Sequence, residues 1–600
     1  MTRLLSFRPV AALRERDLLG LVIIAVIGLL ASFVLADPFQ QHLLALVFLW
    51  TLAGQSWNIS YGYAGQLSFG HSVFVGIGAY ALALLLHWFG LSPYIDILVG
   101  MVAAAVVAIA IGFPTFRLTG AYFALATIVM PLIAIVIVDS LGQQELTLPF
   151  TGAQGAAYMI FADPRGYSVL ALIAMLISLL VVRWLDRSRS AYMLRALREN
   201  EVLAESVGVD TVRWKLIAFA LSAAMAAAFG VVWVETALLV VASDDVFSLA
   251  IVIQMISICL VGGLGNRWGP VIGAAILVPL SEELNAQFGA RIPGIQILAY
   301  GVVLMIVILV APDGVYSLLA RLARRLWLAP VVGETISPAV SVLHRHPAVG
   351  TVLRLDRVSK SFGGLVALQD ISLAVERAQV VGIIGPNGAG KTTLLNLISG
   401  IYRPDTGRLH FEGEDVTSRP PHRRCRLGLA RTFQTPHLLQ RISVGDNVVV
   451  AAFACTTRVA DARSVAAQAL NTVGLPGSMD RRTSTLSTFE IKLVEIARAI
   501  ASCPSLLLMD ESMSGLNREE HKGVIALVRR LQDDGLTIIM IEHAIGSLLE
   551  VADKLIVLQE GKLLAEGAGE EVMANPSVVE AYLGRRWTRD AKGPGPVGQL

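Results

Sequence analysis

The sequence predicts a multi-domain chain: an all-α polytopic membrane domain followed by an α/β P-loop domain. Of its 600 residues, 55% are hydrophobic and only 16% are charged, whereas an ordinary soluble protein carries about 25% charged residues. The apolar runs fill the first half, and the second half has the composition of a soluble protein. We therefore expect a membrane domain over residues 1–325, a linker over 326–350, an α/β domain over 351–585 and a disordered tail over 586–600.

The first half contains ten apolar segments that suit membrane-crossing helices. A span needs about 20 mostly apolar residues, because the hydrocarbon core offers no water to backbone polar groups. The candidates are Leu18–Ala36, Leu43–Trp57, Ser72–Phe89, Ile95–Phe113, Ala121–Val138, Tyr167–Leu185, Trp214–Leu239, Leu249–Leu264, Pro270–Leu284 and Gly294–Ala311. The second, eighth and ninth are short, so tilted or re-entrant helices are alternatives there. The first is too long for the apolar core of a secretory signal, and we interpret it as a membrane helix.

Basic residues predict the orientation of these spans, because cytoplasmic flanks are rich in Lys and Arg. Ten alternating spans place these residues inside: Arg3, Arg8, Arg14, Arg16, Arg117, Arg187, Arg189, Arg195, Arg198, Arg267, Arg321, Arg324 and Arg325. The outer segments 139–166, 243–248 and 282–293 are acidic or uncharged, apart from Arg165 and Arg291. The chain then returns to the cytoplasm before its soluble half.

Charge and cysteine spacing argue against two classes of protein. The formal net charge of +2 is too close to zero to indicate a nucleic-acid partner. The cysteines are Cys259, Cys425, Cys455 and Cys503, and their spacing matches no zinc pattern. We interpret all four as reduced, structural residues.

The strongest motif is Gly385-Pro386-Asn387-Gly388-Ala389-Gly390-Lys391-Thr392, which fits the phosphate loop G-x-x-x-x-G-K-[ST]. An apolar strand precedes it and a helix follows, and such a loop lets backbone N–H groups converge on phosphate oxygens. The predicted nucleotide-binding residues here are Gly385, Asn387, Gly388, Gly390, Lys391, Thr392 and Thr393. Lys391 is expected to reach the β- and γ-phosphates of ATP, and the Thr392 hydroxyl is expected to bind Mg²⁺.

A second strand, Leu506-Leu507-Leu508-Met509, ends in two carboxylates, Asp510 and Glu511. A carboxylate at the tip of such a strand holds Mg²⁺ through a bound water. Asp510 is the predicted metal ligand. Glu511 is predicted to orient or deprotonate the attacking water.

The segment from Arg187 to Arg213 is a long, charged loop between spans. Apolar residues recur near helical spacing, and Gly208 is positioned to end a helix. A short amphipathic helix that docks into a cleft on an ATPase subunit is one interpretation. A solvated loop that only orients the protein by its charge is the other.

Residues from Leu353 to about Gly584 resemble an ABC-type ATPase domain. The resemblance implies that Phe362 stacks on adenine, that Gln434 senses Mg²⁺ and the attacking water, and that His543 contacts the γ-phosphate. Ser514-Gly515-Leu516-Asn517 is similar to the loop that crosses the family's dimer interface, with Asn517 in place of aspartate.

The family signature Leu-Ser-Gly-Gly-Gln is replaced by Leu486-Ser487-Thr488-Phe489-Glu490. In the family, N–H groups of this segment, including that of the serine matched by Ser487, touch a γ-phosphate held by the opposite subunit. Phe489 replaces a glycine that permits close approach, and Glu490 adds negative charge. Ser487 and Glu490 also fit a helix capping box. We predict that the site completed by this signature hydrolyses ATP slowly or not at all.

Five segments of the first half are similar to branched-chain amino-acid permeases. They are residues 58–71, 121–127, 195–201, 261–266 and 268–270. Residues 199–208 fall where that family has its ATPase-coupling loop. Permease and ATPase are commonly separate chains in the family, so the fusion is a departure.

The resemblance implies an importer subunit in the inner membrane that carries a small-molecule solute across the lipid bilayer. Its expected partners are a second permease, a second ATPase and a periplasmic solute-binding protein. The altered signature favours a heterodimer, and a homodimer stays open. Urea, amides and carboxylates are alternative solutes to branched-chain amino acids. An exporter is disfavoured by ten compact spans, and a non-transporting anchor is disfavoured by the preserved catalytic residues.

Overall fold

The computed structural model describes residues 8–118, 120–148, 155–238, 240–292, 294–326, 350–434, 438–440, 442–542 and 544–583. They cluster into two units, each with its own apolar core. The first unit takes in the residues up to Arg198 and those from Thr211 to the end of the helix Val315–Leu326. The second takes in Glu199–Asp210 and the described residues from Gly350 onward. Nearly all of the predicted linker, and all of the predicted tail, lie outside the described residues.

The first unit is built from helices. Its α-helices are Arg8–Val34, Pro38–Trp57, His71–Phe89, Pro93–Thr115, Ala121–Ile128, Met130–Ser140, Arg165–Arg187, Arg189–Glu199, Thr211–Trp233, Ser243–Val246, Leu249–Gly262, Gly269–Phe288, Ile295–Val310 and Val315–Leu326. Turns of π-helix follow at Asn58–Tyr63 and Val234–Leu238, and a 3₁₀ turn lies at Ala156–Tyr158. Strand β1 (Glu145–Thr147) pairs antiparallel with β2 (Val240–Ala242). Apart from this two-stranded sheet, the first unit is helical, and the prediction of an α-helical polytopic domain is confirmed.

The predicted number of ten spans is wrong. Among the described residues seven helices are long and apolar enough to cross a membrane, or eight if a pair bent by 41° counts as one span. The seven are Pro38–Tyr63, His71–Phe89, Pro93–Thr115, Ala121–Ser140, Arg165–Arg187, Thr211–Leu238 and Ser243–Gly262, and the bent pair is Leu298–Val310 with Val315–Leu322.

Length and charge explain the difference. The apolar segment Leu18–Val34 is only one part of the helix Arg8–Val34 and counts among the shorter apolar helices. The helix Gly269–Phe288, where the ninth span was expected, carries Glu282 and Glu283 and is outside the set of apolar spans. The second span, expected to be short, instead runs 26 residues from Pro38 to Tyr63, because a π-helical turn continues it.

Two helices expose most of their apolar surface. In each of the helices Pro93–Thr115 and Ala121–Ser140, only 22% of the apolar stretch is buried. Along the first of them Leu98, Val102 and Val106 are each at least 60% exposed, and their spacing of four residues places them on one face. Soluble proteins rarely expose apolar patches of this extent, so this face suits contact with lipid.

Glycines bring two of the spans into backbone contact. A Cβ atom at Gly78 would overlap the carbonyl of Ala227, and one at Gly230 would overlap the carbonyl of Val75. The helices His71–Phe89 and Thr211–Trp233 therefore approach each other more closely than larger residues allow. Close approach through small residues is the usual basis of helix packing in lipid, where the hydrophobic effect between helices is weak.

The second unit is an α/β fold with two sheets. Its strands are β3 (Thr351–Phe362), β4 (Leu365–Glu376), β5 (Val380–Ile384), β6 (Thr406–Phe411), β7 (Glu414–Asp415), β8 (Leu429–Arg431), β9 (Leu506–Asp510), β10 (Thr537–Ile541), β11 (Lys554–Gln559) and β12 (Lys562–Gly567). The larger sheet has the order β12-β11-β5-β10-β9-β8, and the smaller one has the order β4-β3-β6-β7. In the larger sheet β8, β9, β10, β5 and β11 are parallel, and β12 is an antiparallel edge.

Helices complete the second unit. They are Glu201–Ser206, Lys391–Ser399, Pro421–Arg426, Val444–Ala452, Val459–Thr472, Thr488–Ile500, Arg518–Asp533, Ile545–Leu549, Gly569–Ala574 and Pro576–Leu583, with a 3₁₀ turn at Thr483–Thr485. The three central strands β5, β9 and β10 are buried at every residue. Because the strands are parallel, the residues that follow them gather at one edge of the sheet, and in such folds ligands bind at that edge.

Candidate functional site

The phosphate-binding loop lies between β5 and the helix Lys391–Ser399, as predicted. Gly388 and Gly390 have φ angles of +83° and +97°, a region that residues with a Cβ rarely adopt. A Cβ at Gly390 would also lie 2.6 Å from the carbonyl oxygen of Ala367. The loop conformation therefore depends on these glycines.

The ammonium group of Lys391 donates hydrogen bonds to two carbonyl groups of this loop. Its Nζ donates to the carbonyl oxygens of Gly385, at 2.6 Å, and Pro386, at 3.0 Å. Burial lowers the pKa of Lys391, while Glu511 and Asp510 act in the opposite direction. The cation is thus held beside a helix N-terminus, where positive charge and backbone N–H groups together favour a phosphate.

A cavity of about 740 Å³ opens beside this loop. It is lined by nine of the predicted residues, namely Phe362, Asn387, Gly388, Gly390, Lys391, Thr392, Thr393, Gln434 and Glu511. These residues come from four separate stretches of the chain. His543 lies outside the described residues, so the structure does not place it.

Two predicted catalytic side chains are in direct contact. Gln434, which follows β8, donates from Nε2 to Oε2 of Glu511 at 2.9 Å. Glu511 has a φ angle of +49°. Such a conformation costs free energy in a residue with a Cβ, and strained residues of this kind cluster at active sites.

Asp510 lies behind the cavity at the tip of β9 and is 1% exposed. Arg431 donates from Nη2 to its Oδ2 at 3.0 Å, whereas Oδ1 is buried without a hydrogen-bond partner among the described residues. Burial raises the pKa of Asp510, and the Arg431 charge opposes that shift. A buried carboxylate oxygen without a partner costs free energy unless a ligand satisfies it. This atom is therefore suited to a cation or its bound water.

Sequence reasoning missed Arg431 as a functional residue. Besides its contact with Asp510, Nη1 donates to Oδ1 of Asn396 at 2.5 Å and to the hydroxyl of Ser399 at 3.0 Å. One side chain thus links the carboxylate to the helix that follows the phosphate loop. Its position three residues before Gln434 is a signal that could have drawn attention to it.

Phe362 lies at the mouth of the cavity and is 40% exposed. Its ring meets that of Tyr402 at an angle of 67° with centroids 5.0 Å apart. Taken by itself, an aromatic residue in a strand is more often part of a core. The Lys360 ammonium group lies 5.4 Å from the ring centroid, but the exposure of Phe362 argues against a core position and leaves part of the ring surface available to stack on a base.

The altered signature opens the helix Thr488–Ile500 through a complete capping box. The Glu490 N–H donates to Oγ of Ser487 at 3.2 Å, and the Ser487 N–H donates to Oε2 of Glu490 at 2.9 Å. Arg481 donates to Oε1 of Glu490 at 2.7 Å, and this bond lowers the pKa of that carboxyl. The charge of Glu490 is thus partly offset, so Phe489 is the stronger departure from the family signature. Ser487 is exposed and does not line the Lys391 cavity.

The loop 514–517, which resembles the loop that crosses the family's dimer interface, also has a local structural role. The Asn517 side chain caps the helix Arg518–Asp533, and Glu520 completes a capping box. Lys492 of the signature helix donates from Nζ to the carbonyl oxygens of Ser514, at 2.5 Å, and Glu511, at 3.4 Å. Sequence reasoning missed Lys492, because its partners are main-chain atoms that no side-chain motif marks.

A helix from the first half of the sequence belongs to the second unit. Glu201–Ser206 is capped by Asn200, and Gly208, with φ +91°, follows it as predicted. Its partner is the helix Pro421–Arg426. His422 Nδ1 lies 3.3 Å from Oε1 of Glu205, and the Arg426 Nε donates to the Gly208 carbonyl at 3.2 Å. The structure thus favours the docking interpretation of this segment over a solvated loop.

Fold and site together define a class of protein: a membrane-embedded ABC transporter subunit in which permease and ATP-binding cassette share one chain. Residues 40–311 match the family model "Branched-chain amino acid transport system / permease component". Residues 368–514 match "ABC transporter", and residues 562–587 match "Branched-chain amino acid ATP-binding cassette transporter". The chain belongs to the branched-chain amino acid family of ABC transporters, and its cassette hydrolyses ATP to drive transport.

Individual relatives match the cassette half. The probable branched-chain amino acid transport ATP-binding protein LivG of Archaeoglobus fulgidus is 36% identical over 245 residues, which cover 39% of this chain and 95% of the relative. The high-affinity branched-chain amino acid transport ATP-binding protein BraF of Pseudomonas aeruginosa is 34% identical over 251 residues, 39% of this chain and 98% of the relative. A crystal structure of an ABC transporter's ATP-binding cassette in its ADP conformation is 32% identical, with a TM-score of 0.37, and covers 39% of this chain and all of that one.

Proposed function

We propose that this chain is the permease–ATPase subunit of an importer for branched-chain amino acids, located in the inner membrane. The observation that carries the proposal is the convergence of Lys391, Gln434 and Glu511 on one cavity, in a chain whose described residues also include seven or eight apolar spans. ATP hydrolysis and membrane passage are therefore combined in one polypeptide. The proposed solute class, branched-chain amino acids, comes from the names of the relatives.

The donor set beside the phosphate loop fits Mg²⁺. This ion prefers oxygen ligands, and the candidates are the unpartnered Oδ1 of Asp510, the Thr392 hydroxyl and the Gln434 amide oxygen. When bound, the ion would offset negative charge on the phosphates. Residues of this chain carry out the other steps of the reaction.

Those residues have separate roles in the proposed reaction. Phe362 stacks on adenine, and Lys391 with the N–H groups of the phosphate loop binds the β- and γ-phosphates. Gln434 holds the carboxylate of Glu511, which orients the attacking water and accepts its proton as the bond to the γ-phosphorus forms. His543 is proposed to contact the γ-phosphate. The bond between the γ-phosphorus and the oxygen that bridges it to the β-phosphorus breaks, so the products are ADP and inorganic phosphate.

The proposed assembly contains a second permease, a second ATPase subunit and a periplasmic solute-binding protein. In such a dimer of cassettes, Ser487 of this chain would face the phosphate held by the other ATPase. Phe489 restricts close approach of the backbone there. This supports a heterodimer with one fast site, built on Lys391, and one slow site.

Uptake into vesicles tests this function. The full complex is reconstituted and accumulation of radiolabelled leucine is measured with and without the candidate binding protein, using Lys391→Ala as the inactive control. ATP-dependent accumulation that requires the binding protein, and that Lys391→Ala abolishes, supports the proposal. Transport that ignores the binding protein would indicate an exporter. Binding-protein-dependent accumulation of radiolabelled urea, an amide or a dicarboxylate, with no accumulation of leucine, would replace the proposed solute.

A further inference from the structure

Two thiols lie in contact at the surface of the second unit. Cys503, which is partly exposed, donates from Sγ to Sγ of the exposed Cys455 at 2.8 Å, although they are 48 residues apart in sequence. A disulfide bond has a length of about 2.05 Å, so the two sulfur atoms would need to approach by less than about 1 Å. The pair is therefore close to a geometry in which the bond can form.

Both thiols sit where a helix ends. Cys455 follows the helix Val444–Ala452, and its N–H donates to the Ala452 carbonyl at 3.2 Å. Cys503 follows the signature helix Thr488–Ile500, and its N–H donates to the Ile500 carbonyl at 2.9 Å. After Cys503 the chain continues directly into β9. A bond between the sulfurs would tie the carboxyl ends of these two helices together.

The turn that carries Cys455 lies near Gly208, which follows the docked helix Glu201–Ser206. A Cβ at Gly208 would lie 3.4 Å from the Cβ of Ala454, the residue before Cys455. The turn that carries Cys455 therefore touches the segment that follows the docked helix. Cys503 lies on the link from the signature helix to the strand of Asp510. A covalent tie here would connect the turn beside Gly208 to the link between the signature helix and β9.

Of the four cysteines, Cys455 combines exposure to solvent with a lowered pKa, so it is the most reactive toward an oxidant. The hydrogen bond from Cys503 lowers the pKa of Cys455 and raises that of Cys503. A lower thiol pKa and exposure to solvent favour oxidation. Burial instead raises the pKa of Cys425 to about 12, and Cys259 is buried in the first unit.

We propose that Cys455 and Cys503 form a peroxide-sensitive modification site that closes to an intramolecular disulfide and restrains the signature helix. The Cys455 thiolate attacks one oxygen of hydrogen peroxide, which gives a sulfenic acid and, after protonation of the leaving hydroxide, one water. Cys503 then gives up its thiol proton, its sulfur attacks the sulfenic sulfur, the S–S bond forms, and the displaced hydroxide is protonated to a second water. In total two thiols lose two electrons and two protons, and the peroxide is reduced to two waters.

Mapping of the cysteines tests the site. The full chain in its complex is treated with hydrogen peroxide, free thiols are blocked with N-ethylmaleimide, and peptides are analysed by mass spectrometry. We expect a linked peptide pair containing Cys455 and Cys503, lighter by two hydrogens than the separate peptides and abolished by dithiothreitol. It should persist in Cys425→Ser and vanish in Cys503→Ser. Recovery of both thiols as maleimide adducts, sulfinic acid on Cys455, or a bond between two chains would overturn the proposal.

ATP turnover tests the restraint on the signature helix. In samples shown to be fully cross-linked, we expect the ATPase rate to fall by about threefold or more, the scale on which distant sites couple, and to recover with dithiothreitol. Cys503→Ser should keep its rate under the same treatment. An unchanged rate in fully cross-linked protein would show that the bond forms without restraining the helix, which contradicts this part of the proposal.

Discussion

The Gln434 side chain holds Glu511 from one side, across 2.9 Å, while the Glu511 N–H donates to the carbonyl of Ile541 at the end of β10, also across 2.9 Å. The carboxylate is thus positioned by the end of one neighbouring strand and by the loop that follows another. Each anchor belongs to a different part of the chain, separated from Glu511 by 77 and 30 residues respectively. A general base must be positioned before its pKa matters, and these two contacts provide that positioning.

Replacing the carboxylate should abolish turnover without abolishing nucleotide binding. We expect Glu511→Gln to lower the ATPase rate about 100-fold or more, since a positioned general base contributes roughly that factor, while the residues that grip the phosphates stay intact. Phosphate release and binding of a fluorescent ATP analogue are measured on the same sample. Glu519→Gln is the matched control, because its side chain is 86% exposed. Turnover by Glu511→Gln at the parent rate would contradict the assigned role.

Lys492 should act on the rate of hydrolysis through its main-chain contacts. It is 5% exposed, and its contacts with the carbonyl groups of Ser514 and Glu511 restrain the segment that carries the catalytic carboxylate. We expect Lys492→Met to lower kcat about tenfold with little change in KM for ATP, since a small misplacement of a reacting group costs that much or more. Lys522→Met, at a side chain that is 67% exposed, is the control. A raised KM with unchanged kcat would assign Lys492 to binding instead.

The altered signature can be tested by restoring its glycines. In the Glu511→Gln background, the residual ATPase rate reports the site that this chain's signature completes on the partner. Thr488→Gly with Phe489→Gly should raise that residual rate about tenfold, because hydrogen-bond donors placed on developing charge contribute at least this much. The helix is expected to lose about 1 kcal/mol for each glycine, so a thermal denaturation profile accompanies the assay. A folded double variant with no gain would show that these side chains do not limit the site.

The contact between His422 and Glu205 should matter for coupling more than for hydrolysis. The imidazole lies between two carboxylates, with Nε2 at 3.7 Å from Oδ2 of Asp210, and it does not line the nucleotide cavity. We expect His422→Ala to lower leucine uptake several-fold while ATP turnover falls less. Both rates are measured in the same vesicles, with Arg423→Ala on the exposed side of the same helix as the control. Equal losses of uptake and hydrolysis would argue against a coupling role.

The number of spans shows where prediction from sequence failed. An apolar run predicts a helix well, because backbone groups in hydrocarbon must bond internally. Whether that helix crosses the membrane also depends on its length and on where charges fall. Glu282 and Glu283 interrupt the ninth candidate, and a 41° bend divides the pair that ends at Leu322.

By itself, the sequence determined those features that depend on neighbouring residues. The phosphate loop, its strand and its helix are contiguous, and Asp510 directly ends an apolar strand, so local spacing predicted all of them. Only the tertiary structure decided which distant groups meet: Gln434 with Glu511, Arg431 with Asp510, His422 with Glu205 and Cys455 with Cys503. Such contacts arise from strand order and helix packing, which bring together residues 48 to 217 positions apart. The periodicity of a single sequence contains no information about contacts between residues so far apart along the chain.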